Sequence, residues 1–185
     1  MKETVKLVAV LTIICAVSAA LLAAVYNVTI KPISEALEVK TSEAAQAVMP
    51  PGSYEIKKEL IDQTTFFVAR DKGGKIVAVA VEGLSKNGYG GEIVLMVGLS
   101  ADEKVVAYEV ITATETPGLG TNISATKFTD QLFGKPFTSN WGVKKDGGDF
   151  DAITSATISS RAALECITDA ISKYQQAQTQ LKPNG

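Results

Sequence analysis

The sequence predicts an α+β protein, in which a single N-terminal transmembrane helix precedes one soluble domain with an antiparallel sheet packed against helices. Three observations predict this class. Residues 7–26 form an apolar run without charge, segments between residues 64 and 111 are rich in β-branched and aromatic residues, and apolar residues recur at helical spacing over residues 158–174. The soluble domain is expected to cover residues 53–185.

The apolar run is the first predicted element. Residues 7–26 contain no charged residue, Gly or Pro, and at about 1.5 Å per residue they cover about 30 Å, the thickness of a bilayer's hydrocarbon core. The alternative is a cleaved signal peptide, whose apolar core is usually about 7–15 residues long. Lys2 and Lys6 precede the run and Lys31 follows it, which favours a cytoplasmic N-terminus. We therefore expect residues 1–30 to be a single-pass anchor in the inner (cytoplasmic) membrane, with the soluble domain on the extracytoplasmic side.

The rest of the chain alternates between helical and extended patterns. Residues 31–52 predict a connecting helix that ends at Met-Pro-Pro-Gly. Short turns separate the extended segments, which predicts an antiparallel meander. The four predicted strands are residues 64–69, 76–81, 92–98 and 105–111. A C-terminal helix from about residue 158 should cover one face of this sheet, and the polar tail over residues 175–185 is expected to fray.

Composition restricts the chemistry that this chain can carry. The net charge of -2, from 18 basic and 20 acidic residues, gives no electrostatic case for nucleic acid. The chain has 0 His and 2 Cys, which excludes Ser-His-Asp and Cys-His catalysis, histidine-ligated zinc or haem, and cysteine-ligated iron–sulfur clusters. Any redox work would therefore require a bound organic cofactor.

Two glycine-rich loops are candidate ligand sites. The first, residues 87–91, lies between predicted strands, and its glycines allow positive φ and close approach of the backbone to a ligand, with Tyr89 as a possible stacking surface. A glycine-rich turn without a ligand is the alternative. The second, residues 115–122, follows the last strand and combines Glu115 and Thr116 with Pro and two glycines, which indicates a shaped loop with exposed amides.

The third candidate loop, residues 151–157, opens the C-terminal helix with small and hydroxyl-bearing residues. The start of a helix presents unpaired N–H groups and the positive end of the macrodipole, which suits a phosphate. The alternative is an N-cap cluster without a ligand. A separate match, Ser124-Ala125-Thr126-Lys127, has the S-x-x-K spacing of serine acyl-transfer enzymes, but the accompanying S-D-N and K-T-G elements are absent.

The second and third loops, behind an N-terminal membrane helix, resemble the covalent FMN-binding domain family, and within it the branch found in Rnf electron-transport complexes. The resemblance implies that FMN is joined through its phosphate to the last Thr of a D-x-x-[ST]-G-A-T pattern, which is Thr157, by a flavin transferase acting outside the cytoplasmic membrane. Ser155 stands where the family's pattern has Gly. The implied cofactor-binding residues are Asp151, Thr154, Ser155, Ala156, Thr157, Glu115, Thr116, Gly118, Leu119, Gly120, Gly88, Tyr89 and Gly90.

The same resemblance implies a role as an electron relay. Members of this family serve as subunits of ion-translocating membrane complexes, so the implied partners are the other subunits of such a complex and the membrane itself. In the Rnf type, electrons pass between ferredoxin and NAD, and no nicotinamide pocket is expected in this chain. The alternatives are the corresponding subunit of a sodium-translocating NADH:quinone reductase and a membrane-anchored assembly module without flavin, which the substitution at Ser155 would favour.

Overall fold

The computed structural model describes residues 2–52 and 54–181 and confirms the α+β class. The chain divides into two units between Lys40 and Thr41. The helices are α1 (Lys2–Ala47), α2 (Thr126–Thr129) and α3 (Thr157–Leu181), and the strands are β1 (Glu55–Ile61), β2 (Thr64–Arg70), β3 (Ile76–Gly88), β4 (Gly91–Ser100) and β5 (Val105–Ala113). Two short 3₁₀ turns cover Gly120–Ser124 and Lys144–Asp146.

Helix α1 is one continuous helix through the segments expected to be an anchor and a connecting helix. It continues through Pro32, which cannot donate a hydrogen bond to the preceding turn. Within the described part of the chain, α1 is the helix whose length and composition would allow it to cross a membrane. Its apolar side chains, such as Leu11 and Leu22, are largely exposed, so burial of this surface needs an apolar environment outside the helix itself.

The sheet of the second unit is an antiparallel meander with the strand order β1-β2-β3-β4-β5. The four predicted strands are present, but the sequence prediction missed β1. That strand reads Glu-Ile-Lys-Lys-Glu-Leu-Ile, and its side chains alternate between exposed and half-buried. Charge on an edge strand blocks pairing with a further strand, so β1 lacks the apolar signal that identified its neighbours.

Helix α3 packs against one face of the sheet. The core on this face combines buried strand residues with the inner face of the helix; its members include Phe66, Val81, Leu95, Val97, Leu164 and Ile167. Gly83 permits the close approach, because a Cβ at that position would lie 1.9 Å from the carbonyl oxygen of Cys166. The helix therefore lies directly on the backbone of β3.

The opposite face of the sheet is covered by the residues that end α1. Ala45 and Val48 pack there against Phe67 and Met96, all of them buried. A Cβ at Gly98 would lie 2.1 Å from the carbonyl oxygen of Val48. Small residues on the central strands thus allow residues 41–49 to lie against this face.

The prediction of a frayed C-terminal tail was wrong for residues 175–181. Helix α3 continues to Leu181, and the side chains of Ala177 and Leu181 are buried against the sheet. The carbonyl of Leu181 also accepts a hydrogen bond of 2.9 Å from Nη2 of Arg70. Two apolar contacts in an otherwise polar segment are enough to extend the helix, and the remainder of the predicted tail, residues 182–185, lies outside the described residues.

Substituting Gly83 tests the contact between α3 and β3. Gly83→Ala should lower the free energy of unfolding by about 3 kcal/mol, because the new methyl group forces the helix away from the strand. Glu92→Ala, at an exposed position on the neighbouring strand, should change the free energy of unfolding by less than about 0.5 kcal/mol. Thermal and urea unfolding of the two variants measure the difference, and equal stabilities would contradict the close packing.

Candidate functional site

A cavity of about 470 Å³ opens where α3 begins, a size typical of small-molecule sites. All three candidate loops contribute to its lining. The lining residues are Tyr89, Glu115, Thr116, Leu119, Gly120, Ser155, Ala156, Thr157, Ile158 and Ser159. Segments that are far apart in the sequence therefore meet around one space, as expected if they serve a common ligand.

Glu115 links these segments. Its side chain is only 8% exposed, and each carboxylate oxygen has a partner from a different segment. Oε1 accepts a hydrogen bond of 3.2 Å from the backbone N–H of Gly90, and Oε2 accepts one of 2.7 Å from the hydroxyl of Ser159. A buried carboxylate needs such partners, and here they connect the first loop and α3 to the second loop.

The glycines of the first two loops allow the chain to close around Glu115. A Cβ at Gly120 would lie 2.2 Å from Oε2 of Glu115, and one at Gly88 would lie 2.8 Å from Oε1. At Gly90 the added Cβ would lie 1.5 Å from the carbonyl oxygen of Thr114. These three glycines are therefore required by contact with the protein's own atoms. Gly118 differs, since its φ of 74° requires a residue that tolerates the left-handed region.

The third loop makes a sharp turn before α3. Ser155 adopts a φ of 63°, so the position at which the family's pattern has Gly does require the left-handed region. The N–H of Ala156 donates to the carbonyl of Ile153 at 3.0 Å, and the hydroxyl of Ser160 accepts a 2.9 Å bond from the N–H of Ile153. The exposed side chain of Ser155 meets no obstacle, and its cost is conformational, about 1–2 kcal/mol.

Thr157 combines a hydroxyl with the start of a helix. The N–H of Ser160 donates to the carbonyl of Ala156 at 3.0 Å, and the N–H groups of residues 157–159 precede this first helical bond and lack a helical acceptor. Thr157 is half-buried and lines the cavity. Among the described residues, none forms a hydrogen bond with its hydroxyl. The cavity thus receives the positive end of α3 together with a hydroxyl that has no hydrogen-bond partner among the described residues.

Asp151 and Thr154 lie apart from this cavity. Both line a second cavity of about 350 Å³, together with Lys127, Phe128 and Ile153. Oδ2 of Asp151 pairs with Nζ of Lys144 at 2.7 Å, and its backbone N–H donates to Oε1 of Gln131 at 2.7 Å. The loop over residues 151–157 is therefore divided: its first half faces the second cavity and its last three residues face the first.

The S-x-x-K match does not form a reactive pair. The hydroxyl of Ser124 donates to the carbonyl of Thr121 at 3.0 Å, while Lys127 lines the second cavity. Within the described ranges, no hydrogen bond joins Ser124 to Lys127. Nothing in this arrangement activates the serine for acyl transfer.

A bidentate ion pair attaches the segment before the third loop to α3. Nε and Nη2 of Arg161 lie 2.6 Å and 3.0 Å from Oδ2 and Oδ1 of Asp146. The hydrogen bond from Arg161 holds the pKa of the Asp146 carboxyl below its usual range. The pair is partly exposed, so its role is mainly to fix the geometry of residues 144–150 beside the first turns of α3.

Sequence reasoning missed two lining residues, Ile158 and Ser159. Ile158 is 46% exposed although it is large and apolar, and Ser159 is the partner of Glu115. Both belong to the first turn of α3. A signal was present in the sequence, since a helix start that is expected to hold a ligand brings the backbone N–H groups of its first turn toward that ligand, including those of residues beyond the recognisable motif.

Comparison with known proteins bears on this site. A family model described as FMN-binding domain matches residues 88–172, a range that includes the second and third loops and residues 88–91 of the first. The G subunit of the ion-translocating oxidoreductase complex of Shewanella baltica is 31% identical over 95% of this chain and 90% of its own length. The G subunit of the same complex in Photorhabdus laumondii is 35% identical over 85% of this chain and 83% of its own. This chain belongs to the G-subunit family.

The fold also occurs in a solved structure. A crystal structure of NqrC from Shewanella oneidensis superposes with a TM-score of 0.51 and 21% sequence identity, over 75% of this chain and 72% of that chain. At this identity the likeness shows a shared fold. The FMN-binding match begins at Gly88, the last residue of β3, and continues through most of α3, so it contains every segment that lines the cavity.

Two substitutions of Glu115 should separate its contacts from its charge. Glu115→Ala removes the acceptor of both Gly90 and Ser159 and should cost about 2–4 kcal/mol of unfolding free energy. Glu115→Gln should cost less than about 1 kcal/mol, because its amide can accept from Gly90 and donate to Ser159. Urea unfolding measures both values. A Gln variant as unstable as the Ala variant would contradict the proposed pairing of the two oxygens.

The left-handed conformation of Ser155 predicts a substitution that stabilises the protein, whereas the Glu115 substitutions destabilise it. Ser155→Gly should raise the free energy of unfolding by about 0.5–1 kcal/mol, since the relief of backbone strain exceeds the added freedom of the unfolded chain. Ser155→Ala is the matched control, because it retains the strain and removes only the hydroxyl. Calorimetric melting of the wild-type protein and the two variants measures their stabilities. A Gly variant no more stable than the Ala variant would argue against a strained turn.

Proposed function

We propose that this protein is the membrane-anchored electron-transfer subunit of an ion-translocating oxidoreductase complex of the Rnf type, and that it carries FMN in the cavity beside Thr157. The observation that carries the proposal is the position of the Thr157 hydroxyl, which shares one cavity with the start of α3 and with Tyr89. Support comes from membership of the G-subunit family and from the FMN-binding match over residues 88–172.

The cavity suits the two chemical halves of FMN. At one end, the N–H groups of residues 157–159 and the positive end of α3 favour a phosphate, worth about 0.3–1 kcal/mol at an exposed helix terminus. At the rim, Tyr89, Leu119 and Ile158 are 69%, 42% and 46% exposed. Large apolar side chains at such exposure around one opening match a flat aromatic ring, which would cover them. FMN, when bound, supplies reversible electron transfer that the amino acids present here cannot supply.

Each residue has a distinct task in this arrangement. Thr157 provides Oγ1 for a phosphoester bond, so the cofactor is tethered rather than exchanged. The first turn of α3 stabilises the remaining phosphate charge through its N–H groups. Tyr89, Leu119 and Ile158 shield the ring from water, and Glu115 keeps the loops that carry these side chains in register with Thr157.

Maturation and location follow from the same proposal. Forming a phosphoester on Thr157 would require a flavin transferase that breaks the phosphoanhydride bond of a flavin dinucleotide, passes FMN to Oγ1 as the hydroxyl proton is lost, and releases the other nucleotide. The exposure of Ser155, two residues before Thr157, leaves this segment accessible to an enzyme. Lys2 and Lys6 before the apolar part of α1 support a cytoplasmic N-terminus. The domain would then lie on the extracytoplasmic side of the inner membrane, in contact with the other subunits of the complex.

The Rnf type is favoured over the NADH:quinone reductase type by the extent to which the G-subunit relatives cover this chain.

Covalent attachment is tested on the full chain produced together with a flavin transferase. The wild-type protein should give a fluorescent band on a denaturing gel under ultraviolet light, and Thr157→Ala should give none, because the only hydroxyl of that side chain is lost. Thr157→Ser keeps the hydroxyl and should retain the band. Ser124→Ala removes a hydroxyl that bonds to the carbonyl of Thr121, outside both the D-x-x-[ST]-G-A-T pattern and the cavity, and serves as the control that leaves the band in place.

Intact mass spectrometry of the same samples identifies the adduct and its stoichiometry. A wild-type chain without added mass would overturn the covalent assignment and favour the flavin-free assembly module. A band that persists with equal intensity in Thr157→Ala would place the attachment at another residue and contradict the role of this cavity.

A further inference from the structure

The turn that carries Tyr89 lies beyond the regular part of the β3–β4 ladder. Pairing is continuous up to Ser85 opposite Ile93 and then shifts, with Gly88 opposite Gly91 as the last pair. Lys86 and Asn87 fall in the irregular stretch. The ladder therefore does not by itself fix the position of Tyr89, whose ring is 69% exposed and has little packing of its own.

Glu165 on α3 supplies the missing contacts. Its Oε2 accepts a hydrogen bond of 2.6 Å from the hydroxyl of Ser85 and one of 2.8 Å from Nδ2 of Asn87. The Ser85 hydroxyl in turn accepts a 3.1 Å bond from the backbone N–H of Asn87. Ser85 is 4% exposed, so this small network is largely shielded from water at its base. One carboxylate thus holds the residues that precede the turn.

The other side of the turn is held by Glu115 through the N–H of Gly90. Tyr89 stands between these two attachments. Glu165 lies two turns beyond Thr157 on the same helix, a distance of about 12 Å along the axis. Helix α3 therefore carries both the hydroxyl at one end of the cavity and the support for the aromatic side chain at its rim, so the separation between the two is set by a rigid element.

We propose that Glu165 is a positioning residue that holds Tyr89 against the flavin ring. This inference rests on the proposed function, because it assigns a role toward the cofactor to a residue outside the FMN-binding motifs. Glu165 acts through Ser85 and Asn87 and does not line the cavity. Its removal should loosen the turn and release Tyr89 from the ring, while the phosphate end at Thr157 stays in place.

The test uses the fluorescence lifetime of the covalently bound flavin in the full-length protein, made with its transferase. A tyrosine ring in contact with a flavin quenches its fluorescence. Tyr89→Leu should therefore lengthen the lifetime, and Glu165→Ala should lengthen it to a similar value. The double variant should show no further increase, because both changes remove the same contact. Glu165→Gln should restore the wild-type lifetime, since its amide oxygen can accept both hydrogen bonds.

Matched controls distinguish this role from a general loss of structure. Thr168→Ala changes an exposed residue of the same helix, whose hydroxyl bonds to the carbonyl of Leu164, and should keep the wild-type lifetime. Asn87→Ala removes one of the two donors to Glu165 and should give an intermediate lifetime. A wild-type lifetime in Glu165→Ala with flavin bound, or additive effects in the double variant, would overturn the proposal. Absence of bound flavin in the wild-type protein would instead overturn the proposed function.

Discussion

The two hydrogen bonds of the Glu115 carboxylate are the interaction on which the site depends. They connect a turn between two strands, the loop after the last strand and the first turn of a helix. Gly88 and Gly120 have no room for a side chain because a Cβ at either would lie within 2.8 Å of this carboxylate, and Gly90 has none because it packs against the carbonyl of Thr114. A buried carboxylate with a hydrogen bond to each oxygen fixes geometry more strictly than apolar contact does, and this explains a carboxylate at such a position.

Helix α3 is the frame on which the remaining parts are aligned. Its buried face forms the core with the sheet, its first turn faces the cavity, and its carboxylates Glu165 and Asp169 bind the end of β3. Asp169 accepts the N–H of Leu84 at 2.9 Å, one turn beyond the contacts of Glu165. Because one helix performs these tasks, the distances between the Thr157 hydroxyl, the Glu115 carboxylate and the turn that carries Tyr89 cannot vary independently.

Much of this arrangement is predictable from local sequence, and the parts that are not have physical reasons. Runs rich in β-branched and aromatic residues identified β2 to β5, and hydroxyl-rich residues before an amphipathic pattern identified the start of α3. The sequence prediction missed strand β1 because charged side chains are typical of an edge strand. It missed the last turns of α3 because two buried residues outweigh a polar composition. The pairing of Glu115 with Ser159 and the separation of Asp151 from Thr157 depend on tertiary contacts, which spacing along the chain cannot supply.

The strand order of the sheet has a consequence for folding. Every strand pairs with its neighbour in sequence, so the meander can grow by short loop closures, which are fast. The cavity, in contrast, requires three segments separated by long stretches of chain to come together. Forming the cavity therefore costs more loop-closure entropy than forming the meander, and any ligand that occupies the cavity selectively stabilises chains in which all three segments are assembled.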